Sequence, residues 1–236
     1  MKIEILYPEL CNLNGDMGNI RYLKKCVPEI EILETTINEK PKFIDQGDIS
    51  LVYMGTSTEK SQEIIIEKLK PYTEQIKQKI DNNQLFLFLG NSLEILGKYI
   101  ENEDGSKIEG LGIFDVYAKR DMMHRHNSLC IGKFEDIEVV GFKSQFTMMY
   151  GNNNDSYFLE VEKGIGINPE SKLEGIKDHN FFGTYLTGPI LILNPYFTKK
   201  LLKLMGAEDT TLAFEESSIE AYKIRLEEFK RVPYQK

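Results

Sequence analysis

Along the first ninety residues, apolar positions fall in short alternating or continuous runs, separated by segments in which they return every three or four residues. The runs Ile3-Glu4-Ile5-Leu6, Ile30-Glu31-Ile32-Leu33 and Ile49-Ser50-Leu51-Val52-Tyr53 predict strands, whose side chains point alternately to opposite faces. The turn Gly15-Asp16-Met17-Gly18-Asn19 feeds a short helix with Ile20 and Leu23 on one side. From Glu59 a helical segment carries Ile65 and Leu69, and Pro71 suits the first position of a second helix bearing Tyr72, Ile76 and Ile80 on one face. Asp81-Asn82-Asn83 ends it, and Leu85-Phe86-Leu87-Phe88-Leu89 reads as a strand buried on both sides. Such a strand, flanked by amphipathic helices, points to an α/β fold with a mostly parallel sheet covered on both faces.

Leu89-Gly90-Asn91-Ser92 then leads from the buried strand into a predicted helix over Leu93–Ile100. At the carboxyl edge of a parallel sheet, a sharp strand-to-helix turn is where α/β enzymes place a nucleophile, because adjacent backbone N–H groups stabilise an oxyanion there. Here the turn carries no thiol. The second half is strand-rich, with predicted strands at Ile113–Tyr117, Ile137–Phe142, Tyr157–Val161 and Phe182–Leu186. Asn194-Pro195 opens a helix through Leu204, and a final amphipathic helix carries Ile219, Tyr222, Leu226 and Phe229. With no linker, repeat or low-complexity tract, a single domain over residues 1–236 is expected.

Charge and composition narrow the chemistry. A net charge of −8, with no basic cluster longer than a pair such as Lys24-Lys25 or Lys199-Lys200, argues against nucleic-acid binding. No apolar run is long enough for a membrane span, and the N-terminus lacks the pattern of a signal peptide. Three cysteines, Cys11, Cys26 and Cys130, without C-x-x-C spacing fit a reducing cytoplasm. Together with only three histidines they restrict any thiol–imidazole enzyme to six positions.

Four segments in order, Leu6–Ile20, Leu96-Gly97-Lys98-Tyr99, Gly110–Asp115 and Thr184–Pro195, resemble the class I glutamine amidotransferases of the cobyric acid synthase type. The similarity is strongest to the glutaminase subunits of lipid II isoglutaminyl synthases. It implies a three-layer flavodoxin-like fold with additional strands in the second half. It also implies a Mur ligase-type partner, to which active relatives deliver ammonia for amidating the D-glutamate of the cell-wall precursor. Neither a cofactor nor a metal is implied.

In that family a cysteine in the turn after the buried strand attacks the glutamine amide, and a histidine in a Tyr-Leu-His-Gly-Pro segment acts as base, the logic of an activated thiolate. Carried over, these positions fall on Gly90 and on Thr187 of Tyr185-Leu186-Thr187-Gly188-Pro189. The family's glycine-rich loop corresponds to Gly55-Thr56-Ser57-Thr58, and its Gly-Phe-Glu-Asn-His segment to Gly141-Phe142-Lys143-Ser144-Gln145. The resemblance therefore implies a degenerate centre, with Gly55, Thr56, Asn91 and Gln145 bordering a vestigial glutamine pocket open to a different small ligand.

Other chemistry-bearing residues have plainer readings. Ser92 is the alternative nucleophile for a glutaminase or amidohydrolase with a relocated centre, but a serine opening a helix more often caps it. His124 and His126, flanking Arg125 near Cys130, are expected in a solvated loop, and His179 in a surface turn. Asn152–Asp155 reads as a hairpin turn, and Asp16 as a turn former. An unrelated binding module that keeps the fold alone is the remaining reading.

Overall fold

The computed structural model describes residues 1–233. The chain runs β1 (Lys2–Leu6), α1 (Met17–Cys26), β2 (Glu31–Thr35), β3 (Leu51–Met54), α2 (Glu59–Leu69), α3 (Thr73–Asp81) and β4 (Phe86–Leu89). Between β4 and the last strand come β5 (Tyr99–Glu101), β6 (Lys107–Glu109), β7 (Val116–Arg120), β8 (His126–Phe134), β9 (Ile137–Gln145), β10 (Thr147–Gly151), β11 (Leu159–Lys163), β12 (Leu173–Glu174) and β13 (Ile176–Asp178). The chain then continues through β14 (Phe181–Thr184), α4 (Ile190–Leu193), α5 (Pro195–Leu204) and α6 (Glu215–Arg231).

The central sheet has the order β13-β14-β4-β3-β1-β2. Its strands are parallel except for β13, which pairs antiparallel with β14. The order 2-1-3-4 followed by the last parallel strand is that of flavodoxin-like sheets, which place ligands outside the carboxyl ends of the strands near the β1/β3 switch point. Strand alternation divides the core. Leu85, Leu87 and Leu89 pack on one face with Ile20 and Leu23 of α1 and Phe197 and Leu201 of α5. Phe86 and Phe88 pack on the other with Ile65 and Ile66 of α2 and Ile76 and Ile80 of α3.

Two four-stranded sheets, β10-β7-β5-β6 and β12-β11-β8-β9, are inserted between β4 and β14. The nine-residue pairing of β8 with β9 was not legible as a strand pair, since its first strand begins among the polar residues around His126. The stretch expected as a helix over Leu93–Ile100 is instead a 3₁₀ helix over Gly90–Leu96, followed by β5. The reason is competition for carbonyls. Leu111 N–H donates to Ile95 O, Ile113 N–H to Leu96 O and Gly112 N–H to Gly97 O, so long-range partners take the oxygens that an α-helix would need for its next turn. The strand expected at Ile113–Tyr117 correspondingly starts at Val116.

Asn152–Asp155 is not a hairpin turn. It links β10 to β11, which belong to different sheets, and buried Asn153 donates to Gly175 O at 3.0 Å. Pro71 lies in a short 3₁₀ turn, Lys70–Tyr72, and α3 begins at Thr73. His179 sits exposed in the β13–β14 turn at φ 50°, as expected.

Candidate functional site

Three connections meet at the carboxyl end of the central sheet: the loop after β1, the loop after β3 and the turn after β4. Gly90, in that last turn, has φ +59°, the left-handed conformation expected where a sharp strand-to-helix turn presents its first residue. A Cβ built on Gly90 would lie 2.4 Å from Thr56 Oγ1 and 2.8 Å from Thr56 Cγ2. Thr56 therefore fills the space a side chain at 90 requires. Asn91 zips the turn to the β3 loop: its Nδ2 donates to Ser57 O at 2.9 Å, and Ser57 N–H donates to its Oδ1 at 3.0 Å.

A cavity of about 260 Å³ opens here, lined among others by Thr56, Gly90, Asn91, Gln145 and Thr187. Of the residues singled out from the sequence, the structure brings these five together. Gly55 lies beneath them: a Cβ there would meet Cys11 O at 2.3 Å and Asp16 Cβ at 2.7 Å, so a glycine is needed for the β1 loop to approach. Ser92 faces away. It is fully buried within the 3₁₀ helix and donates to Leu89 O at 2.7 Å, and the helix has no side-chain cap, so Ser92 does not cap it. Lys143 is absent from the cavity wall, although its neighbours Ser144 and Gln145 are present.

Asp16 is more than a turn former. It is fully buried, and its Oδ1 accepts from Gly188 N–H and from Thr56 Oγ1 while its Oδ2 accepts from Asn14 N–H. Adjacent Asn19 donates to Gly188 O and to Tyr53 Oη, and accepts from Leu191 N–H. One acid–amide pair thus joins the β1 loop, the β3 loop and the segment carrying Thr187. Thr187 itself uses both N–H and Oγ1 to donate to Phe142 O. The sequence signal for this hub was the recurrence of glycine around each partner, Gly15, Gly18, Gly55 and Gly188.

The cavity floor rests on a second buried network. Glu94 accepts from Gln62 Nε2 and from Tyr185 Oη, both at 2.8 Å, and Gln62 Oε1 accepts from Arg120 at 2.9 Å. Burial raises the Glu94 carboxyl to about 7, against the lowering effect of those hydrogen bonds and of Arg120. The folded protein therefore holds a proton that the unfolded chain releases near its ordinary carboxylate range. This contribution to stability is fully present at low pH and is lost as pH rises through about 7. Thermal melts between pH 5 and 8.5 are expected to show that decline in the parent protein and its loss in Glu94→Gln. A parallel decline in both would refute the assignment.

None of the cysteines is poised as a thiolate. Burial raises Cys11 and Cys26, and pushes Cys130 up to about 12. His124 is exposed against Asp121, whereas His126, rather than lying in a solvated loop, opens β8 half-buried beside Ser128. Among the described residues no group of three or more His, Cys, Asp or Glu side chains is placed to hold a metal ion, and no helix is long and apolar enough to cross a membrane.

A parallel sheet in this order, with the turn after β4 and the loop carrying Thr187 facing one cavity, defines the fold of the class I glutamine amidotransferases. A solved glutamine amidotransferase superposes with a TM-score of 0.57 at 13% identity, covering 87% of this chain and 99% of that one. The chain belongs to the CobB/CobQ-like glutamine amidotransferase domain family, which matches residues 2–194. It is 29% identical over 211 residues to the lipid II isoglutaminyl synthase (glutamine-hydrolyzing) subunit GatD of Staphylococcus aureus, covering 89% of this chain and 85% of that protein. It is 28% identical over 209 residues to the subunit of the same name from Streptococcus pneumoniae, covering 86% and 79%.

Proposed function

We propose that the chain keeps an amidotransferase scaffold whose glutaminase centre has been dismantled. In this reading it serves as a non-hydrolysing structural or regulatory subunit beside a Mur ligase-type protein in cell-wall precursor amidation. The observation that carries the reading is the packing of Thr56 against Gly90. The room that a cysteine side chain at position 90 would need is taken by the Thr56 side chain. Gly90 has no side chain, and Thr187 has no group that titrates near neutrality and spends its hydroxyl proton on Phe142 O. A relocated nucleophile at Ser92 gains no support, because that hydroxyl is buried away from the cavity.

Similarity to the two GatD subunits over most of their length supports the cell-wall setting, and three free cysteines support a reducing, cytoplasmic one. Co-expression with a Mur ligase-type protein tests the partnership. The two are expected to co-elute as one species on size exclusion; separate elution at micromolar concentration would count against a subunit role.

A further inference from the structure

Phe214, the residue that opens α6, carries two costs that folding does not return. Its backbone is left-handed, at φ 56° and ψ 37°, a conformation that glycine adopts freely and a residue with a Cβ adopts under strain. Its ring is 67% exposed, so no burial offsets that strain. The segment is nonetheless held in place. Ala213 N–H donates to Cys26 Sγ at 3.3 Å, Tyr22 Oη donates to Ala213 O at 3.1 Å, and Leu212 N–H donates to Glu215 Oε2 at 2.8 Å. A strained residue fixed by its surroundings, with a large apolar side chain aimed at solvent, marks a place of function rather than of packing.

The neighbours of the ring say what kind of partner fits. Lys25 of α1 holds its ammonium 5.8 Å from the Phe214 ring centroid, and Arg21 lies one turn earlier on the same side of that helix. Both are exposed, and among the described residues neither is in an ion pair. One turn into α6, Ser218 donates to Ile192 O at 3.2 Å, and the Ile192 side chain is also exposed. Of the nearby acids, Glu215 is engaged by Lys199 Nζ at 2.6 Å and by Leu212 N–H, which leaves Glu216 alone against the two basic groups. On a chain of net charge −8 this is a basic and apolar patch. None of its residues lines the cavity at the end of the central sheet.

We propose that Phe214, Ile192, Arg21 and Lys25 form a docking surface for a protein partner that offers an apolar pocket rimmed by carboxylates. The aromatic ring is the anchor, and the two basic side chains steer and orient the acidic rim. A ring already fixed in its binding position loses less freedom on association, which gives the backbone strain its use. Two free basic groups fall short of the about four to eight that hold a protein to an anionic bilayer. A second copy presenting the same patch would bring its basic groups against these. The inference goes beyond the dismantled-centre reading and does not depend on it.

Photo-crosslinking of the full chain in cells of its own organism tests it, with p-benzoylphenylalanine in place of Phe214 and, as a control, in place of exposed Glu109. One protein adduct specific to position 214 is expected, its attachment mapped by mass spectrometry to an apolar segment flanked by Asp or Glu. That protein, purified, is then titrated with the parent chain and its variants. Phe214→Gly is expected to raise the denaturant midpoint, since glycine adopts this φ without strain, and yet to weaken binding about tenfold or more. Arg21→Glu with Lys25→Glu is expected to slow association about tenfold at low salt, an effect that fades as salt rises. No adduct beyond that of the control position, adducts only with lipid or with a second copy, or unchanged binding in both variants would overturn the proposal. An adduct with a protein unlike a Mur ligase would instead count against the subunit role and leave this surface standing. A Mur ligase-type partner that binds the variants as tightly as the parent would do the reverse.

Discussion

Lys143→Met is expected to destabilise the protein by about 3–5 kcal/mol, read as a lowered denaturant midpoint at unchanged slope. Lys143 and Glu174 are both completely buried, with Nζ and Oε1 3.4 Å apart. The remaining Lys143 protons go to Ile165 O at 3.0 Å and Gly166 O at 2.9 Å, while Glu174 accepts from Thr184 Oγ1 and Tyr185 N–H. Two carbonyls accept from Lys143 and two donors serve Glu174, which makes removal of one partner costly: Glu174 would be left in the interior without its ion-pair partner. Replacing both, as in Lys143→Met with Glu174→Gln, is expected to recover most of the loss, because a neutral amide no longer needs compensation. A single-variant effect below about 1 kcal/mol would show that the pair is unimportant. Where the resemblance has an acid, this chain has a lysine, and the structure turns it away from the cavity into the core.

Gly90→Cys is expected to destabilise by roughly 2–4 kcal/mol and to restore no glutaminase. Two costs combine: a left-handed φ disfavours any residue with a Cβ by about 1–2 kcal/mol, and overpacking against Thr56 adds about 1–3 kcal/mol. Only the second depends on residue 56. The double variant Gly90→Cys with Thr56→Gly is therefore expected to regain the packing part and keep the backbone part, giving a coupling of about 1 kcal/mol or more in a double-mutant cycle. Additive effects of the two substitutions would mean that Thr56 does not block position 90. Even the double variant lacks an imidazole, since Thr187 remains opposite.

The parallel core was legible because its signals are local. Five consecutive apolar residues at Leu85–Leu89, flanked by helical periodicity, admit few other readings. Gly90, Thr187, Thr56, Asn91 and Gln145, all singled out from the sequence, line one cavity. What escaped depends on partners distant in sequence. The 3₁₀ helix after Gly90 exists because residues 111–113 claim the carbonyls of 95–97, a competition invisible to periodicity. Asp16 looked like a turn residue because its partners at Thr56 and Gly188 lie 40 and 172 positions away. Ser92 looked like a cap because the sequence shows a helix start but not that the hydroxyl folds back onto Leu89 O. The β8–β9 pair begins among polar residues, and only its partner strand shows a clear apolar run.

The central claim is that the glutaminase centre is dismantled, and ammonia release from L-glutamine by the purified chain, alone and with a Mur ligase-type partner, tests it most directly. Loss of nucleophile and base together costs about a millionfold in rate, so release at the background rate of the buffer is expected under both conditions. Turnover that co-purifies with the protein through successive columns and disappears in Ser92→Ala would contradict the account.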